Sequence, residues 1–248
     1  MRLLVSARNA ADAAAALAGG ADILDAKEPS AGALGAVTIE VLRELLSTVN
    51  AARPVSAALG DANERAALER RVGACAAEGV AFVKIGFAGM TDAARVTDLI
   101  ASAVGAARAH ACAVVAVGYA DATRVGGIEC DALFDAAARG GAAGVLIDTA
   151  DKAGPGLLQL SPPAALRRYV SAAHDRGLSI AMAGKLSSAD LAVVRDMGAD
   201  IAGVRGAACH AGRTSAISEA RVRVLADIAR PPEISRLKAR TDSRMLSR

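Results

Sequence analysis

Four of the five lysines in this chain stand at, or just beyond, the end of a short apolar run. Lys27 follows ADILDA, Lys84 ends AFVK, Lys152 follows GVLIDTAD and Lys185 follows SIAMAG. Elsewhere positive charge is carried by arginine, used twenty-four times. A guanidinium keeps its proton, whereas a desolvated lysine amine can lose one, and only the free amine attacks a carbonyl. Amines held at matching places in an arginine-dominated chain point to carbonyl chemistry.

Two carboxylates accompany them. Asp25 lies two residues before Lys27, and side chains alternate along a strand, so both project to the same side. Asp148 precedes Lys152 by four residues within LIDTADK. A carboxylate beside an amine holds it in place and can shuttle its proton; an ordinary ion pair has the same spacing. Clustered amines depress one another's pKa, because each added positive charge disfavours the next proton. Two acids and the amines Lys27, Lys84 and Lys152 therefore suit imine formation with separate groups for proton transfer.

The elements that must position these groups alternate regularly. Short β-branched or apolar runs cover 3–7, 21–26, 55–59, 81–85, 114–119, 144–149, 179–183 and 201–205. Alanine-rich segments of helical period cover 9–18, 38–50, 62–78, 91–109, 129–140, 162–176, 187–197 and 215–229. Five helix-to-strand turns repeat one small signature: AGGAD, AEGVA, RGGAAG, DRGLS and DMGAD. Glycine there predicts a left-handed helix cap. Eight strand–helix repeats with buried strands predict a single-domain (βα)8 TIM barrel over residues 1–230. An open, doubly wound sheet is the alternative, but no GxGxxG follows the first strand.

In such barrels the site lies at the C-terminal strand ends, and the loops after strands 7 and 8 are the usual phosphate site. Here those loops read AGKLSS and VRGAAC. Gly184, Lys185, Arg205, Gly206, Ala207 and Ala208 are the expected phosphate holders, with backbone amides of small residues approaching the anion. Tight packing is the competing account of the glycines. Tyr119 and Asp121, at the end of strand 5, are candidates for orienting a hydroxylated substrate, although an inward core tyrosine fits equally.

Composition narrows the functional class. The net charge of +3 resides in the segment 231–248, which has five basic and two acidic groups, so 1–230 is balanced and presents no basic face for nucleic acid. Aromatics are 2% of the chain, too few for base-stacking platforms. Four dispersed cysteines read as free thiols of a reducing cytosol, and three isolated histidines show no zinc spacing, so no metal is expected. No run reaches membrane-spanning length. A cytoplasmic homo-oligomer is expected, with its polar, arginine-rich C-terminal tail frayed or docked on a neighbouring subunit.

Taken together, DAKEPSAGALGA (25–36), VKIG (83–86), GYADATRVG (118–126), LIDTADK (146–152) and GVRGAAC (203–209) resemble the (5-formylfuran-3-yl)methyl phosphate synthase family. The resemblance runs from residue 1 to about 229. It implies a (βα)8 barrel that condenses two molecules of glyceraldehyde 3-phosphate, with loss of one phosphate and water. The implied product is 4-(hydroxymethyl)-2-furancarboxaldehyde phosphate, the furan precursor of methanofuran, and no organic cofactor is implied. Lys27 matches the family's Schiff-base lysine, with Asp25 beside it, and Lys84, Asp148 and Lys152 match its other catalytic positions. Lys185 has no counterpart in that pattern, and the loop AGPGLLQLSPP after Lys152 departs from it. A class I aldolase, an imine-free decarboxylase and a non-catalytic barrel that binds a phosphorylated metabolite are the competing readings.

Overall fold

The computed structural model describes residues 1–231. Apart from Pro231, the expected C-terminal tail lies outside the described residues. Eight parallel strands close into a barrel in sequence order: β1 (Arg2–Ala7), β2 (Ile23–Ala26), β3 (Val55–Asp61), β4 (Phe82–Gly86), β5 (Ala113–Tyr119), β6 (Gly144–Asp148), β7 (Ser179–Met182) and β8 (Ile201–Val204). The ring shuts where β8 pairs with β1, Val5 opposite Val204. Closure removes the open-sheet alternative.

Each strand is followed by a helix on the outside: α1 (Ala10–Ala18), α2 (Ile39–Val49), α3 (Arg65–Ala77), α4 (Ala93–Ala107), α5 (Cys130–Gly140), α6 (Pro163–His174), α7 (Ser188–Asp196) and α8 (Glu219–Ala229). Side chains before the first turn set several starts. Asp92 accepts from the amides of Ala94 and Arg95, and Thr38 from Val41. Helix ends follow the repeated glycine signature: Gly141 closes α5 at φ +80° and Gly198 follows α7 at φ +91°, conformations that penalise a side chain. Short helical turns at Ala122–Val125 and Leu157–Leu160 add to the pattern anticipated from periodicity. Four residues are too few to carry a period.

Strand alternation divides the core into two layers. Outward residues such as Leu3, Val5, Leu24, Val83, Ile85, Ile147 and Ile180 pack against the helices. Inward residues Ala58, Val117, Tyr119, Leu146 and Ala181 fill the barrel. The inner set is small on the β7–β8 side, where Ala181, Ala183 and Gly203 line a cavity of about 860 Å³ that runs from the C-terminal mouth into the barrel. All four cysteines are buried free thiols, and burial pushes Cys112 up to about 11 and Cys130 up to about 12. Among the described residues, no helix is long and apolar enough to cross a membrane, and no group of three or more His, Cys, Asp or Glu side chains is placed to hold a metal ion.

An ion pair clamps the seam between the ends of the chain. Asp12 of α1 is buried and accepts from Arg205 Nη1 at 3.0 Å and from the Ile217 amide at 3.0 Å. The same Nη1 donates to the Ser6 carbonyl at 2.7 Å. Removing Arg205 takes one charged donor from Asp12 and leaves Arg8, whose Nε lies 3.1 Å from the same carboxylate. Arg205→Met is therefore expected to lower unfolding free energy by about 1–3 kcal/mol, measured by urea denaturation; a loss below about 0.5 kcal/mol would show the clamp to be dispensable.

Candidate active site

Register alone brings the first carboxylate its partners. Asp25 stands opposite Ser6 on β1 and opposite Ser56 on β3. Both hydroxyls donate to it, Ser6 Oγ at 2.9 Å and Ser56 Oγ at 2.8 Å. Lys84, inward on β4, places Nζ 2.6 Å from Asp25 Oδ2. Asp25 has no exposed surface, so a charged carboxylate there depends on these three donors. Ser56 was not anticipated from sequence. Its signal was a hydroxyl on the inward face of an otherwise apolar strand.

The second carboxylate is Asp148, at the end of β6 and also buried. Lys152 turns back from the following loop so that Nζ donates to Asp148 Oδ1 at 2.6 Å and to Thr149 Oγ1 at 3.3 Å. Lys27, just past β2, lies with Nζ 3.9 Å from Asp148 Oδ2 and is 8% exposed. Burial would raise the Asp148 pKa, but the charges of Lys152 and Lys27, with hydrogen bonds from Lys152 and the Thr149 amide, outweigh it and hold the carboxyl below its ordinary value. Lys27 goes the other way. Burial, reinforced by the charges of Lys84 and Lys152, lowers its amine from 10.5 to about 8, against the pull of Asp148 and Asp25. Lys27, Lys84, Asp148 and Lys152 all face the cavity, and Asp25 sits directly behind Lys84.

The remaining candidates divide. Gly184 (φ +108°) and Lys185 (φ +58°) turn the chain out of β7 at the cavity wall. Lys185 is exposed, and its Nζ donates to the Gly154 carbonyl at 2.5 Å. The unusual loop after Lys152 is thereby tied to the β7 loop, as it is by the Leu157 amide on the Gly184 carbonyl. Gly206 and Ala207 reach the cavity, but Ala208 is buried behind them. Arg205 touches the cavity with its guanidinium fully engaged: besides Asp12 and Ser6 it donates to the carbonyls of Arg213 (2.7 Å) and Ser215 (3.0 Å). It is a bracket for its own loop, not a free cation for an anion.

Tyr119 and Asp121 are absent from the cavity wall, contrary to the expectation that they orient a substrate. The Tyr119 hydroxyl donates to Asp61 Oδ1 at 2.9 Å in the barrel interior, and burial together with that carboxylate raises its pKa. Asp121 accepts from the amides of Ala150 (2.7 Å) and Asp151 (2.9 Å), which folds the β6 loop and uses both its oxygens. In their place the structure brings Arg213, from the irregular segment after β8, to the cavity.

The 4-HFC-P synthase family matches residues 3–226. A relative from Methanopyrus kandleri, a (5-formylfuran-3-yl)methyl phosphate synthase, is 38% identical over 231 residues, covering 91% of this chain and 98% of the relative. One of the same name from Methanothermobacter thermautotrophicus is 36% identical, covering 86% and 91%. Among solved structures, 3-hexulose-6-phosphate synthase from Salmonella typhimurium superposes with a TM-score of 0.67 at 17% identity, covering 92% of this chain and 98% of that one. At that identity the likeness speaks for the barrel alone.

A lysine that titrates near 8 has a readable signature. Reaction of Lys27 with a carbonyl reagent, trapped by borohydride and mapped by mass spectrometry, is expected to rise through a midpoint at about pH 8. Lys84→Met removes a repelling charge and moves that midpoint up; Asp148→Asn removes an attracting one and moves it down. Because the folded amine binds its proton less tightly than the unfolded one, its contribution to stability increases as pH rises from about 8 to 10.5. A midpoint near 10.5 in all three proteins would contradict this account.

Proposed function

The chain belongs to the 4-HFC-P synthase family, and from that membership and its buried amines we infer that it condenses two glyceraldehyde 3-phosphate molecules through a Schiff base on Lys27. The product is 4-(hydroxymethyl)-2-furancarboxaldehyde phosphate, destined for a methanofuran-type cofactor, and the enzyme is a carbon–oxygen lyase acting on phosphates. The observation that carries this reading is the Lys27 amine, desolvated, lowered to about 8 and set among Lys84, Lys152 and two buried carboxylates. A site built for binding alone gains nothing from an amine that gives up its proton near neutrality.

One triose phosphate first shifts a proton to become a ketose. The free Lys27 Nζ adds to its carbonyl and water leaves, forming the imine. A base takes the C2 proton of the second triose, whose phosphate leaves, and the terminal carbon of the resulting enol attacks the protonated imine carbon of the first. Loss of the Lys27 amine, closure of the first triose's free hydroxymethyl oxygen onto the new ketone, and loss of water then give the furan. The balance is two triose phosphates to one furan phosphate, one inorganic phosphate and two waters, with no net oxidation. Asp148, between Lys27 and Lys152, is placed to pass protons at the imine, while Asp25 and Lys84 form a second acid–base pair across the mouth.

For phosphate, the reading uses Gly184, Lys185, Gly206 and Ala207. Their backbone amides donate to no acceptor among the described residues, and Lys185 adds charge at the same rim. The start of α7 is already occupied, since Asp190 accepts from the Ser187 amide and hydroxyl at 2.8 Å. The anion cradle is thus the pair of turns, not the helix end.

Incubation of the purified protein with glyceraldehyde 3-phosphate alone is expected to yield a near-ultraviolet-absorbing product with the furan phosphate's mass. Borohydride is expected to leave a triose adduct on Lys27, and Lys27→Arg to abolish both. An adduct without furan would make the chain a class I aldolase, turnover without an adduct an imine-free enzyme, and ligand stabilisation that survives Lys27→Arg without turnover a binding barrel.

A further inference from the structure

The bracket formed by Arg205 has a product, which is the presentation of Arg213. Arg205 grips the Arg213 and Ser215 carbonyls, Arg8 grips the Thr214 carbonyl, and Cys209 pairs with Ile217 as an isolated bridge. The segment after β8 is thereby folded back over the barrel mouth. The Arg213 Cβ lies 3.8 Å from where a Cβ on Gly206 would stand, and its guanidinium reaches past β1 to donate to the Gly32 carbonyl, in the loop after β2, at 3.2 Å. That contact is its single side-chain hydrogen bond among the described residues, and no carboxylate there lies within ion-pair distance of it. Gly32, at φ +94°, has open space on the side where a Cβ would project.

The charge around Arg213 favours an incoming anion. Burial lowers the guanidinium's hold on its proton, and the charge of Asp148 offsets this only in part. Glu28, the other nearby carboxylate, is committed to the Ser30 amide and hydroxyl. Across the mouth Lys27, Lys84, Lys152, Lys185 and Arg213 face the buried Asp25 and Asp148, while Asp151 at the rim is engaged by the Ala153 and Gly154 amides and by Arg124. The tip of Arg213 is at the β2 rim, three strands round the ring from β7, with Lys27 and Asp148 between the two rims.

We propose that Arg213 is a specificity-determining residue that holds the phosphate of the second triose at the β2 rim, opposite the anion cradle of the β7 and β8 turns. This rests on the condensation of two triose phosphates argued above. With one phosphate fixed on each rim, the imine carbon on Lys27 and the phosphate-bearing carbon of the second triose are held facing each other over Asp148. Arg213 touches the substrate's phosphate and takes no part in proton transfer.

Inorganic phosphate, titrated by calorimetry, tests the subsite without turnover. The wild type is expected to bind two phosphates per chain, Arg213→Gln one, and Arg213→Lys two with the second weakened. In steady-state assays with glyceraldehyde 3-phosphate, Arg213→Gln is expected to raise KM roughly 10- to 100-fold, with partial rescue by Arg213→Lys and an undiminished borohydride adduct on Lys27. A single phosphate site in the wild type, two in Arg213→Gln, or an unchanged KM would each overturn the proposal. A wild type that makes no furan, yet loses one of its two phosphate sites in Arg213→Gln, would sink the reaction assigned above and leave the subsite standing.

Discussion

A carboxylate with no access to water governs the arrangement of this site. Asp25 is cut off from solvent in the barrel, and Ser6 and Ser56 donate to it from the two flanking strands while Lys84 reaches it from β4. Its demand for donors fixes where the Lys84 ammonium must sit. That ammonium in turn is one of the two like charges that help to keep the Lys27 amine near neutrality. Asp148 does the complementary work, close enough to Lys27 to hold it in place but bound more tightly to Lys152. The result is a division of labour among three chemically identical side chains, imposed by how each is paired and how deeply each is buried.

The barrel supplies this arrangement at little structural cost because its geometry is periodic. Parallel strands in register set Ser6, Asp25 and Ser56 side by side with no loop involved. Rigid strands carry Asp25, Lys84 and Asp148, while Lys27 and Lys152 stand within four residues of a strand end. Groups on such elements stay within the tolerance that proton transfer demands. The small inward residues of β7 and β8 then leave the space in which a substrate can lie.

Most of this was legible in the chain because it depends on periods. The eight strands and eight main helices follow from alternation and helical spacing, and their ends fall within a few residues of the expected ones. The lysines at strand ends and the carboxylates two and four residues away also follow from local spacing. What could not be read depends on where long side chains go after they leave the backbone. Arg205 looks identical, in sequence, to a free cation at a strand end; only the folded chain brings Asp12 and three carbonyls to its guanidinium. Tyr119 and Asp121 sit at a strand end too, yet Asp61 and the β6-loop amides claim them. Arg213 lies in a segment with no period at all, and nothing local marks it.

The lacing between the loops after β6 and β7 carries one further implication. Lys185 is tied to the Gly154 carbonyl, and the Leu157 amide to the Gly184 carbonyl, so the two loops form one body. Lys152 belongs to the first loop and the glycine-rich turn to the second. Any displacement of one on arrival of a reactant must drag the other, which stiffens this half of the entrance. The loop after β2 meets the segment after β8 through the Arg213–Gly32 contact, with no comparable pair of ties among the described residues, so the two sides of the entrance differ in how firmly their loops are joined.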